Sequence, residues 1–337
     1  MAFSIHRIAI AAALMLPLLA WAADIQFHNP IVRQRADPQV ALQADGYYYM
    51  TATVPEYDRI ELRRAWTLDG LGQAAPRVVW RKHANGAMGA HIWAPEMHRI
   101  DGKWYIYFTA APAESVWDIR LYVLENAADD PFKGEWIERG QLHTGWESFS
   151  LDATTFALEG KRYLVWTQRA TSKGGTNIYI AQMDTPLSIT GRVTRLSRPE
   201  YPWEKVKYEV NEGPAVLVRG GRVFVTYSAS ATDANYCMGM LSTTAGADLL
   251  DPTVWSKSPQ PVFRSSQANG QYGPGHNSFT TTPDGKTDIL VYHARNYRDI
   301  KGDPLHDPNR ATRAQVIHWR ADGTPDFGEP VADAPRD

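Results

Sequence analysis

Five times along this chain an alternating apolar run meets a glycine turn and leaves as a second, aromatic-rich run. The first copy, RADPQVALQADGYYYMTATV, spans Arg35 to Val54. The others are WAPEMHRIDGKWYIYFTAA from Trp93, LDATTFALEGKRYLVWTQR from Leu151, EGPAVLVRGGRVFVTYSAS from Glu212 and HNSFTTTPDGKTDILVYHA from His276. Period-2 alternation on both sides of an Asp-Gly pair predicts a hairpin whose two turn residues take φ > 0. The turn glycines Gly46, Gly102, Gly160, Gly221 and Gly285 are spaced by 56, 58, 61 and 64 residues. A near-constant period of this length holds two strands per copy and leaves room for two more. That predicts an all-β, five-bladed β-propeller.

Outside the repeats, the first residues read as an export signal. His6 and Arg7 precede an apolar run from Ile8 to Ala20, and Ala20-Trp21-Ala22 has the small-x-small form of a cleavage site. Residues 1–22 are therefore expected to be a signal peptide and 23–337 one propeller domain, in a protein that is periplasmic or extracellular. The charged stretch VPEYDRIELRRA, Val54 to Ala65, reads as a solvated connector. The segment from Ala311 to Phe327 is expected to finish the last blade, unless residues ahead of Asp37 close the ring instead. A formal charge of −2 leaves no basic stripe for nucleic acid, and no membrane partner is expected. Cys237, the lone cysteine, excludes an internal disulfide and reads as a small core residue.

The innermost strands of a propeller line its central channel, so equivalent strand starts converge at one mouth. Here those starts carry Asp37, Trp93, Asp152, Glu212 and His276. Carboxylates are costly to bury without partners, so several in register point to chemistry. Cleaving a glycosidic bond needs two carboxyl groups on opposite sides of it. Asp37 and Glu212 lie three copies apart, across a ring of five. The shorter Asp suits a general base with room for water, the longer Glu a general acid. Asp152 is then a third charge that raises the acid's pKa and orients it. Trp93 offers an aromatic floor for a sugar, whereas Glu96 and Trp166 read as structural.

With RADPQ around Asp37, SLDATTF around Asp152 and NEGPAV around Glu212, the chain resembles glycoside hydrolase family 43 over nearly its whole mature length. That family implies a five-bladed propeller with an Asp base, a pKa-modulating Asp and a Glu acid. NPIVRQRADP, TATVPEYDRIELRRA and HIWAPEMH resemble its extracellular exo-acting α-1,5-L-arabinofuranosidases. The resemblance implies an inverting hydrolase of terminal arabinofuranose on arabinan or arabino-oligosaccharides, acting as a monomer. β-Xylosidase and endo-arabinanase use the same frame, and a non-catalytic sugar-binding propeller would lack one or more of the carboxylates. It further implies Arg295, in YHARN, as a sugar-binding arginine and His276, in GPGHNSF, as a substrate neighbour. No cofactor is implied as required, although His276 resembles a channel histidine that touches calcium, directly or through water. Arg310, in HDPNRATR, is a weaker candidate for the pocket.

Overall fold

A computed structural model describes residues 27–335. The expected signal peptide lies outside the described residues. Strands gather in sequence order into blades. The first holds β1 (Ala36–Leu42), β2 (Tyr48–Thr53), β3 (Arg59–Ala65) and β4 (Arg77–Arg81). The second holds β5 (Ala90–Ile100), β6 (Lys103–Ala111), β7 (Arg120–Asn126) and β8 (Ile137–Gln141). In the third are β9 (Ser150–Leu158), β10 (Lys161–Arg169), β11 (Thr176–Thr185) and β12 (Ser188–Ser197). In the fourth are β13 (Asn211–Arg219), β14 (Arg222–Ala229), β15 (Cys237–Thr244) and β16 (Ser256–Lys257). The last is β17 (Tyr272–Thr281), β18 (Asp288–Arg295) and β19 (Ala311–Val316). The five blades expected from the period are present.

Both readings of how the ring closes hold in part. Ala311–Val316 is the third strand of the last blade, and Val32 pairs with Thr312 on its outer edge. Asn29 strengthens this seam: its side-chain amide donates to Ala314 O at 2.8 Å and accepts from Ala314 N at 2.9 Å. The start of the described chain is thereby hydrogen-bonded to the last blade, which leaves no open sheet edge there.

The hydrophobic core is divided among the seams between blades. Tyr49, Ile60 and Leu62 of the first blade pack on Ile106, Phe108 and Leu124 of the second. Leu164 and Trp166 of the third face Tyr107 and Val123 of the second, while their neighbour Val165 faces Val223 and Val225 of the fourth. Because strand side chains alternate between faces, one strand serves two seams, and middle strands are apolar on both sides. Each fully buried side chain of this size contributes about 1.5–3 kcal/mol. Trp166, 0% exposed, is core as expected, and so is Cys237.

Two expectations need correcting. Val54–Ala65 is not merely a connector, since Arg59–Ala65 forms β3 with Ile60 and Leu62 wholly buried. Its charges are paired: buried Glu61 takes Arg59 of the same stretch at 3.3 Å and Arg35 from ahead of β1 at 2.6 Å. The turns also differ among blades. Asp101-Gly102, Glu159-Gly160 and Gly220-Gly221 have positive φ at both positions, but at the first and last turns only Gly46 and Gly285 do. There Gly46 N bonds Gln43 O and Gly285 N bonds Thr282 O, which makes these hairpin loops longer.

Candidate active site

Every innermost strand breaks register with its neighbour near the channel mouth: at Asp37, Ala94, Asp152, Gly213 and His276. All five residues have positive φ, between 40° and 56°. For a residue with a Cβ that conformation costs roughly 1–2 kcal/mol, so four such strained positions are held by their surroundings. A bulge turns its side chain away from the pleat, here toward the mouth. The carboxylates are thus not all in one register. Asp37, Asp152 and His276 occupy the bulge itself, whereas Glu212 and Trp93 stand one residue before it.

The freed bulge amides are caught by side chains. Ala94 N donates to Thr53 Oγ1 (2.7 Å), Asp152 N to Thr109 Oγ1 (3.1 Å) and His276 N to Ser228 Oγ (2.7 Å). These acceptors lie at or just before the end of the second strand of the preceding blade. In the last blade that place is held by an imidazole, and Asp37 N donates to His293 Nδ1 at 3.0 Å. In the third blade it is Thr167, but Gly213 N donates instead to Asp152 Oδ2 at 3.0 Å.

Around Asp37 the partners are dense. Oδ2 accepts from Thr53 Oγ1 at 2.6 Å. Oδ1 lies 3.3 Å from Arg310 Nη1, 3.3 Å from His276 Nδ1 and 3.2 Å from His293 Nδ1. Burial alone would raise its pKa. Arg310 above all, with His276, reverses this and holds the carboxyl well below its ordinary range. Glu212 is the opposite case. Burial pushes it up to about 7, with the charge of Asp37 adding to the rise and the hydrogen bond from Tyr236 opposing it. Tyr236 O–H donates to Glu212 Oε1 at 2.8 Å. Asp152 is raised well above its ordinary value by burial and by the charges of Glu212 and Asp37. Asp152 and Glu212 therefore titrate as a pair, keeping a proton between them to higher pH than either would alone. His276 lies 3.9 Å from Asp152 Oδ2 and packs on Gly213, where a Cβ would meet its ring at 2.9 Å.

These groups open on one cavity of about 620 Å³, lined by residues of all five blades. Asp37, Asp152, Glu212 and Arg310 stand in its wall with Trp93 and Leu305, and Trp117 and Tyr208 are exposed at its edge. One carboxyl kept ionised and another kept protonated share this space.

Residues 27–325 match the model for glycosyl hydrolases family 43. The chain belongs to this family. Among its relatives is an extracellular exo-α-(1→5)-L-arabinofuranosidase of Streptomyces avermitilis, 61% identical over 311 residues. That alignment covers 92% of this chain and 65% of the relative, so the chain spans just under two thirds of that protein. A protein of the same name from Streptomyces chartreusis is 59% identical, over 82% of this chain and 85% of its own length. The solved α-L-arabinofuranosidase of Lactobacillus brevis superposes with a TM-score of 0.89 at 54% identity, covering 92% of this chain and 98% of that one.

Within this family 43 propeller, the residues singled out from sequence divide. Asp37, Asp152, Glu212, His276 and Trp93 all line the cavity. Trp93 is stacked on His91, with centroids 4.3 Å apart, and meets Tyr57 edge-on, so most of its surface is packing. Arg295, expected as a sugar-binding arginine, is not among the residues that line the cavity. Its three nitrogens donate to Asp307 Oδ1 (3.0 Å), Thr232 O (2.8 Å) and Pro304 O (2.9 Å), which fixes the loop carrying Leu305. Of these two arginines, Arg310 is the one that lines the cavity. Glu96 is outside the wall and paired with His98 at 3.0 Å, although its charge reaches Asp152 and His276.

Tyr236 and His293 were not anticipated. His293 had a signal in the repeat: Thr53, Thr109, Thr167 and Ser228 each stand seven residues after their turn glycine, and His293 stands eight after Gly285. Among the described residues no group of three or more His, Cys, Asp or Glu side chains is placed to hold one ion. Calcium takes about six to eight oxygen ligands, and the nitrogen of His276 that faces this cluster already faces two carboxylates. No step below involves a metal.

Proposed function

We propose that this family 43 chain is an exported, inverting exo-α-1,5-L-arabinofuranosidase that works as a monomer without a required cofactor. One contrast carries the reading: in a single cavity Asp37 is held as a carboxylate while Glu212 keeps its proton up to about pH 7. The names of the 54–61% identical relatives support the choice of sugar. Asp37 takes a proton from water, whose oxygen attacks the anomeric carbon. Glu212 gives its proton to the departing glycosidic oxygen, and the anomeric configuration inverts. Asp152 fixes the backbone beside the acid through Gly213 N and shares in its titration. Arg310, ionised at any working pH, neutralises the base and offers remaining donors to sugar hydroxyls. Loop residues of the other four blades, among them Trp117, Gly174, Tyr208 and Leu305, join Asp37 around the cavity, a pocket suited to a chain end.

Initial rates on aryl α-L-arabinofuranoside and aryl β-D-xyloside test the sugar, with arabinofuranoside expected to dominate by at least about tenfold. Linear arabino-oligosaccharides are expected to release monomer only. Preference for xyloside would make it a β-xylosidase, and a ladder of products an endo-arabinanase.

A further inference from the structure

We propose that Tyr236 and His293 form one stacked unit that positions the general acid and the general base together, resting on the roles just given to Glu212 and Asp37. Tyr236 lies wholly buried between the fourth and fifth blades, its ring parallel to that of His293, at 5° and 5.6 Å between centroids. One end of the unit is the hydroxyl, 2.8 Å from Glu212 Oε1. The other is His293 Nδ1, which accepts from Asp37 N at 3.0 Å and sits 3.2 Å from Asp37 Oδ1. A single pair of rings therefore touches both reacting carboxyls.

The surrounding chain is shaped to admit this pair. Gly275 pairs with His293 across β17 and β18, and a Cβ on it would lie 2.5 Å from the Tyr236 ring. Gly273 has positive φ, and a Cβ there would strike Asp233 O at 2.3 Å. That oxygen accepts from Tyr236 N, so the GPG run gives space to the ring and to the turn that carries it. Three of the other four blades place Thr or Ser where His293 stands and use it to hold the bulge amide. A hydroxyl would satisfy Asp37 N equally well. Only a flat ring also gives Tyr236 a face to lie on. Burial and the Arg310 charge hold His293 near 3, so it is neutral, with the proton on Nε2 when Nδ1 accepts. Buried Nε2 has no protein partner, which leaves the stack and the Asp37 contacts as what the ring does.

Tyr236→Phe and His293→Ser test the unit, read by the pH dependence of kcat and by the 13C titration of the Glu212 carboxyl, assigned against E212Q. The groups facing Glu212 are Tyr236, Asp37 and Arg310, with Asp152 coupled to it. The Tyr236 hydroxyl stabilises the Glu212 carboxylate, so removing it raises the acid's pKa, and the alkaline limb moves up by roughly one unit. kcat is expected to fall roughly 10- to 100-fold with KM little changed. His293→Ser keeps an acceptor for Asp37 N and never touches Glu212, yet it is expected to move the Glu212 titration in the same direction. The double variant then shifts it no further than Y236F alone. An unmoved Glu212 titration in H293S, with Y236F and H293S additive, overturns the unit. The 13C reading does not depend on which glycoside is cleaved, so a wrong sugar leaves this test intact. Circular dichroism of each variant identifies one that has lost the fold, and His293→Asn then replaces H293S.

Discussion

Two glutamates eight residues apart, Glu204 buried and Glu212 in the cavity wall, end in opposite states. Glu204, 0% exposed, accepts from Asn211 Nδ2 (2.9 Å), Tyr227 O–H (2.9 Å), Lys257 Nζ (2.8 Å) and the amides of Glu200 and Tyr201 (both 2.8 Å). Burial raises its pKa, but Lys257 and the two amides more than offset that, and the net shift is downward. Glu212 has the Tyr236 hydroxyl and no cation of its own, and it rises to about 7. Desolvation raises both; the donors decide. A carboxylate given every donor becomes a brace, and one given a single donor keeps a proton it can pass on. The brace also steadies Glu212, since Glu204 holds Asn211, the residue beside it.

The largest effect expected from this contrast is on turnover. Glu212→Gln and Asp37→Asn are each expected to lower kcat by roughly 10²- to 10⁴-fold with folding intact, measured by steady-state kinetics and circular dichroism. Near-normal kcat in either breaks the assignment. Glu204→Gln is expected to act the other way. It leaves half-buried Lys257 beside a neutral partner and costs roughly 1–3 kcal/mol in urea unfolding, while the pH optimum of the surviving enzyme stays in place. A shifted optimum would mean that Glu204 belongs to the titrating site.

A smaller effect separates the two by linkage. Glu212 is raised from 4.5 to about 7, so the stability it contributes as a neutral acid is complete below 4.5 and lost as pH rises through 7. Glu204 is lowered, so its contribution is present above 4.5 and lost as pH falls through its folded value. Urea unfolding of E212Q is therefore expected to gain roughly 1–3 kcal/mol over the parent at pH 8 and nothing near pH 4. Least is expected of Gly213→Ala, where the added methyl presses the His276 ring from 2.9 Å. About 1 kcal/mol of stability is lost, and kcat falls severalfold as His276 shifts beside Asp37.

The blades were legible because their signals are local: a glycine at φ > 0 and alternation on each side of it. Asp37, Asp152 and Glu212 were legible because the repeat carries them to the same mouth. What escaped depends on non-local return paths. Arg295 and Arg310 are both charged residues flanking the same polar loop, and only the course of residues 296–309 decides which one meets Asp37. His293 was masked by one extra residue in the fifth turn, and β3 by charges that neutralise one another across a half-buried face. Tyr236 lies on no repeat position at all. Its partner Glu212 and the glycines that admit it are separated along the chain and converge only in the folded ring.

The most direct measurement is 1H NMR of the first sugar released from an α-L-arabinofuranoside, before mutarotation. Water activated by Asp37 opposite a protonated Glu212 predicts the β-anomer first. Initial release of the α-anomer would contradict single displacement by this pair.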